Sequence, residues 1–150
     1  MSAQSFILGA TALIAGGLLP CARTAPLKRM QQPMLEFTVI AAAETARDVA
    51  PAIRSASQEA VEVTGAMATP NPCYEISARL APEGGKLTLT LTAIATGGFC
   101  AQVVAAFEYR ARITGLDAGT YELVTLHTYP ETGWEQKAFR LQLNVPRAAH

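Results

Sequence analysis

Few residues of this chain have the type and spacing to do chemistry, so each can be weighed singly. Histidine is the usual general base near neutral pH, and only two are present, His127 and His150. Nucleophilic hydrolysis also needs a serine or cysteine beside the base and a third group to orient it. No Gly-x-Ser-x-Gly elbow accompanies His127, and His150 is the last residue of the sequence. A small hydrolase centred on His127 is therefore an alternative reading, not the leading one. Zinc sites draw on clustered His, Cys and carboxylates, which are missing here. Asp117 sits in a glycine-bounded turn without a second carboxylate at calcium-loop spacing, and no glycine-rich phosphate loop leads into a helix. Arg110 and Arg112 share a strand face with Glu108 and read as a solvated ladder. The expectation is no catalytic residue, no metal and no cofactor.

One stretch suits recognition. His127-Thr-Tyr-Pro-Glu-Thr-Gly-Trp134 sets His127, Tyr129 and the sole tryptophan, Trp134, around a proline–glycine loop. Loops carry recognition in β-sandwiches, and Trp and Tyr are favoured anchors. The competing reading is that Trp134 caps the core at the sandwich edge.

The cysteines are Cys21, Cys73 and Cys100. Cys73 opens one expected strand and Cys100 the next but one. In a flat sheet those outer strands stand about 9–10 Å apart, beyond disulfide reach. A Cys73–Cys100 bridge therefore requires the third strand to fold over into an opposite sheet.

The elements that position these residues are read from alternation. Tyr74, Ile76, Ala78 and Leu80 alternate with polar neighbours, as do Leu87, Leu89 and Leu91. So do Val103 to Ile113 and Phe139 to Val145, which is the signature of strands with one wet face. Residues 35–41, 60–67 and 121–129 are further strands, the last apolar on both faces and so more central. Residues 42–58 read as a short helix that Pro51 ends. About seven antiparallel strands with turns such as Pro82-Glu-Gly-Gly85 predict an all-β sandwich.

Composition sets the remaining bounds. The 150 residues hold twelve acidic and twelve basic side chains, so no cationic surplus argues for nucleic acid. No charge occurs before Arg23. Residues 6–19 form a mostly apolar run too short to span a bilayer well and suited to a secretion signal. Residues 22–33 read as a flexible tether, and residues 34–147 as the folded domain.

Leu18-Leu19-Pro20-Cys21 resembles the lipobox of bacterial lipoproteins, with Pro20 where families carry a small residue. The resemblance implies that residues 1–21 are a leader, with Cys21 the lipidated residue. Cysteine parity agrees, since lipid on Cys21 leaves two cysteines to pair. Gly115-Leu-Asp-Ala-Gly-Thr-Tyr-Glu-Leu123 resembles a segment common in bacterial immunoglobulin-like domains. It implies that Tyr121 bonds back to the backbone as a corner. Residues 73–145 also look like uncharacterised bacterial envelope proteins. The expected function is a non-catalytic, exported, lipid-anchored immunoglobulin-like module of the cell envelope. Its membrane contact is the lipid, and its partner an envelope protein or glycan. A protease-inhibitor-like accessory domain presenting the Tyr129–Trp134 loop is the other non-enzymatic reading.

Overall fold

The computed structural model describes residues 32–43 and 45–148; the leader, Cys21 and most of the tether lie outside the described residues. Eight strands form: β1 (Met34–Ala42), β2 (Val49–Ala56), β3 (Val61–Thr69), β4 (Tyr74–Glu83), β5 (Lys86–Ala95), β6 (Ala105–Thr114), β7 (Gly119–Thr128) and β8 (Lys137–Val145). They make two four-stranded sheets, ordered β1-β6-β3-β2 and β4-β5-β7-β8. The chain is thus an all-β sandwich, with eight strands in place of about seven. One pairing departs from the antiparallel expectation: β5 and β7 run parallel.

Alternation drives the burial. In β5, Leu87, Leu89, Leu91 and Ala93 are buried while the threonines between them are half-buried. In β6, Tyr109, Ala111 and Ile113 point into the core and Glu108, Arg110 and Arg112 point out. Leu89 and Tyr109 share one interior with Leu123 and Leu143, with Phe107 and Leu141 packed at its margin. β7, apolar on both faces, lies between β5 and β8 as a strand of that kind must. On the outer face of the first sheet, Arg112 pairs with Glu36 at 3.3 Å and Arg110 with Glu62 at 3.3 Å, the solvated ladder expected.

Among the described residues of 42–58 none is helical. Residues 49–56 form β2 instead, an edge strand paired to β3 with two register shifts. The edge is where Pro51 is tolerated, because its missing N–H need not join a ladder there. A second difference concerns residues 101–104, which precede β6 as loop. The chain must cross there from the second sheet to the first, so the alternation at Val103 and Val104 is not that of a paired strand.

The disulfide decides how the sheets are joined. Cys73 and Cys100 are bridged with Cα atoms 6.0 Å apart. β4 and β5 lie in one sheet and β6 in the other, so the strand after Cys100 does fold across. Tyr121 also meets its expectation: its hydroxyl donates to the Asp117 carbonyl at 2.9 Å.

Candidate functional site

Strand direction sorts the connections between two ends of the sandwich. β1 begins and β8 ends at the near end, where Met34 pairs Thr114 and Gly119 pairs Val145. The turns there are short: residues 57–60, 84–85 and 115–118. The far end collects the other four connections: residues 43–48, 70–73, 96–104 and 129–136. The disulfide, Trp134 and the start of β2 are all at that end. Sequence periodicity located strands but not their directions, so this gathering was not legible beforehand.

Beneath the far end is a buried polar network centred on Asp48. Asp48 Oδ1 accepts from the Ala68 N–H at 3.0 Å, extending the β2–β3 contact by one residue ahead of Val49, the first residue of β2. The same oxygen receives His127 Nδ1 at 3.1 Å and the Tyr129 hydroxyl at 3.3 Å, and Oδ2 receives Lys137 Nζ. A carboxylate can only accept, which places the imidazole proton on Nδ1. Nε2 lies within hydrogen-bond distance of the Tyr109 hydroxyl, at 3.3 Å. Burial by itself would raise the Asp48 pKa. The bonds from His127, Lys137 and the Ala68 amide outweigh it and hold the carboxyl far below the usual range. Burial, helped by the Asp48 charge, pushes both Tyr109 and Tyr129 above the ordinary phenol range, so both stay protonated.

The rings around His127 close the site. Phe139 lies 5.0 Å from it between ring centroids, and Tyr109 stands edge-on at 5.9 Å. His127 and Tyr109 are fully buried. An Asp–His pair oriented in this way has the outline of a hydrolase relay, but both ring nitrogens are engaged, one by Asp48 and one by a buried phenol. The group that a nucleophile would occupy is Tyr109. What the arrangement does chemically is fix a proton and join five segments: the residue before β2, strands β3 and β6, β7 with Tyr129 just beyond it, and the start of β8.

The three residues singled out for recognition divide accordingly. His127 points inward into the network. Tyr129 is its outer member, nearly buried, and its ring meets Trp134 at 5.4 Å with an interplanar angle of 61°. Trp134 is half-buried against the core margin, so it both caps the sandwich and shows one face. Its loop is held by local bonds: Thr132 Oγ1 donates to the Tyr129 carbonyl at 3.0 Å and accepts from the Trp134 N–H at 3.0 Å.

No known protein family, curated protein or solved structure matches the chain. The function must be read from the site itself.

Sequence reasoning missed the most exposed feature. Phe99 is wholly exposed beside the disulfide, in a loop of residues 96–104 without a charge. Val103 and Val104 of the same loop are also exposed. The signal was present as Gly97-Gly98-Phe99-Cys100, two glycines at positive φ followed by an aromatic held by a bridge. A larger concavity of about 520 Å³ lies on the outer face of the first sheet, walled by Val49, Ala52, Arg54 and Glu62. Of the charged side chains that line it, Arg54 Nε donates to the Thr64 hydroxyl at 2.9 Å and Glu62 pairs Arg110, while Glu108 adds a further carboxylate. Among the described residues no group of three or more His, Cys, Asp or Glu side chains is placed to hold a metal.

Proposed function

We propose that this chain is a non-catalytic binding or scaffolding module of the cell envelope, presenting the far end of its sandwich to a partner. The observation that carries the reading is the gathering of the longer loops, with Phe99 and Trp134, at the end opposite Met34. Met34, where the expected tether joins the domain, is at the opposite end. The Asp48 network and the Cys73–Cys100 bridge hold the loops in place, which lowers the ordering cost of association. Glu131 and Glu135 flank Trp134, so the Trp134 loop offers an aromatic anchor beside negative charge. That combination favours a protein partner with an apolar pocket and basic rim over an anionic lipid surface. The burial of His127 and the engagement of its nitrogens favour this over the hydrolase reading.

The reading includes delivery by the leader and lipid at Cys21, motivated by Leu18-Leu19-Pro20-Cys21. Intact mass of membrane-extracted protein tests it: a diacylglycerol adduct lost in Cys21→Ser is expected, and an unmodified Cys21 removes the anchor. The display itself is tested by photo-crosslinking in the envelope. A crosslinker replacing Phe99 should capture one discrete partner, and capture should fall at least tenfold with Trp134→Ala. Equal capture from a crosslinker at Thr90, on the outer face of the second sheet, overturns the reading.

A further inference from the structure

Both edge strands of the first sheet are bulged, and the bulges meet at one place. β1 has one extra residue between Val39 and Ala41; β2 has one between Val49 and Ala52 and one between Ile53 and Ser55. Ile40, Ala50 and Arg54 stand at those insertions, and all three line the concavity of about 520 Å³ on the outer face of the sheet. A bulge bends its strand and re-aims a side chain, which is why bulges gather beside binding sites. Blunting an edge accounts for a bulge in either strand, but not for the insertions of two opposite edges serving one hollow. The volume is that of a small-molecule site.

The floor of the hollow is made of small residues and its rim is charged. Thr64, Gly65 and Ala66 of β3 run along the floor. Arg54 reaches over it from β2, its Nε donating to the Thr64 hydroxyl at 2.9 Å. Arg110 is the partner of Thr64 in the β3–β6 register and is tied through Nε to Glu62 at 3.3 Å. Neither tie uses the terminal nitrogens, so two guanidinium edges remain at the level of Thr64, and such an edge takes a carboxylate with two bonds. Glu108 is the register partner of Ala66, is exposed, and has no hydrogen bond or ion pair among the described residues. Its carboxylate can only accept, which suits an ammonium. Thr64 and Glu108 lie one strand and two residues apart, which sets the carboxylate-binding and ammonium-binding groups about 8 Å from each other. Two extended residues span about 7 Å. Val49, opposite Ala66, and Ile40 add exposed aliphatic surface at the Glu108 end.

We propose that this concavity binds a dipeptide with free termini and an aliphatic first residue. The dipeptide lies along β3, its carboxylate on Arg54 and Arg110 and its ammonium on Glu108, with the first side chain against Ile40 and Val49. Neither Phe99 nor Trp134 lines the concavity, so this site and the display at the far end stand or fall separately.

The test is amide nuclear magnetic resonance of the isotope-labelled full chain in mild detergent, titrated with leucyl-alanine. Saturable shifts of the Thr64, Gly65 and Ala66 amides are expected below about 10 mM. Acetylating the amine of the probe, or amidating its carboxylate, should each raise the dissociation constant at least about threefold, the scale of a partly exposed charge-assisted bond. Arg54→Gln should erase the preference for carboxylate over amide, and Glu108→Gln the preference for amine over acetyl, with melting unchanged in both. Glu108→Gln leaves no partner behind, so it reads the site even if Arg54→Gln disturbs Thr64. Shifts that do not saturate, blocked probes that bind as well as the free one, or an amine preference that survives Glu108→Gln overturns the proposal.

Discussion

His127 and Asp48 stand 79 positions apart in the chain and are joined by a 3.1 Å bond from Nδ1 to Oδ1. The bond runs between the two sheets, from β7 to the segment leading into β2. It belongs to a network in which one carboxylate meets an amide, an imidazole, a phenol and an ammonium. Such a group stabilises only while all its partners are in place, since each is left unpaired when the carboxylate goes.

Asp48→Ala should therefore destabilise the domain by about 3 kcal/mol at neutral pH, the usual cost of removing one member of a buried charged pair. The pH dependence has a definite sign. The folded pKa of Asp48 lies below its unfolded value. Its contribution is present in full above the unfolded value, near 4, and is lost as pH falls toward the folded one. Chemical denaturation across pH should show wild type and Asp48→Asn separated by a constant gap from pH 7 to about 5, narrowing below pH 4. A gap that widens on acidification contradicts the assignment.

The bridge between Cys73 and Cys100 closes a loop of 27 residues in sequence separation, worth about 3–4 kcal/mol in the chain-entropy account. Cys73→Ala should lower the melting temperature by roughly 10–20 °C in oxidising buffer. In reductant the variant and wild type should melt together. Limited proteolysis should cut near Phe99 in the variant first, because Cys100 is the anchor of that loop. Equal melting of wild type with and without reductant would count against a structural bridge.

Much of this fold was legible in the sequence. The alternation of Leu87, Leu89 and Leu91 with threonines reports one wet and one dry face, which is a local property. The Cys73–Cys100 argument worked because strand spacing limits disulfide reach. What failed was non-local. Residues 49–56 become a strand because β3 offers an edge and Asp48 caps its next amide, and neither partner is visible from the segment alone. His127 showed the same limit: its residue type allowed catalysis, a structural place or a surface position, and only Asp48 and Tyr109 brought alongside reveal a buried tie. The parallel pairing of β5 and β7 has no signature in either strand.

Gly65 has a packing reason that its own neighbours do not announce. A Cβ at this position would lie 2.6 Å from Tyr109 Oη and 3.1 Å from the Val49 carbonyl oxygen. Gly65→Ala should cost about 1–3 kcal/mol, as overpacking does when the obstructing groups are themselves held. Tyr109 is held by its bond to His127. In the double variant with Tyr109→Leu the two losses should sum to less than their separate values, by at least about 0.5 kcal/mol in denaturant titrations. Strict additivity would place the obstruction elsewhere.

Glu131 is the one non-glycine residue with positive φ among those described, at 66°, in the turn that follows Pro130. Left-handed backbone costs a residue with a Cβ roughly 1–2 kcal/mol, and glycine avoids that. The Thr132 hydroxyl holds the turn, donating to the Tyr129 carbonyl and accepting from the Trp134 N–H, so the strain persists in the folded state. Glu131→Gly should raise stability by about 0.5–1 kcal/mol, the relief being partly offset by the greater freedom of glycine in the unfolded chain. If the far end binds a partner with a basic rim, the same variant should weaken capture through Phe99 while the domain melts higher. A rise in both would show that Glu131 serves the turn alone.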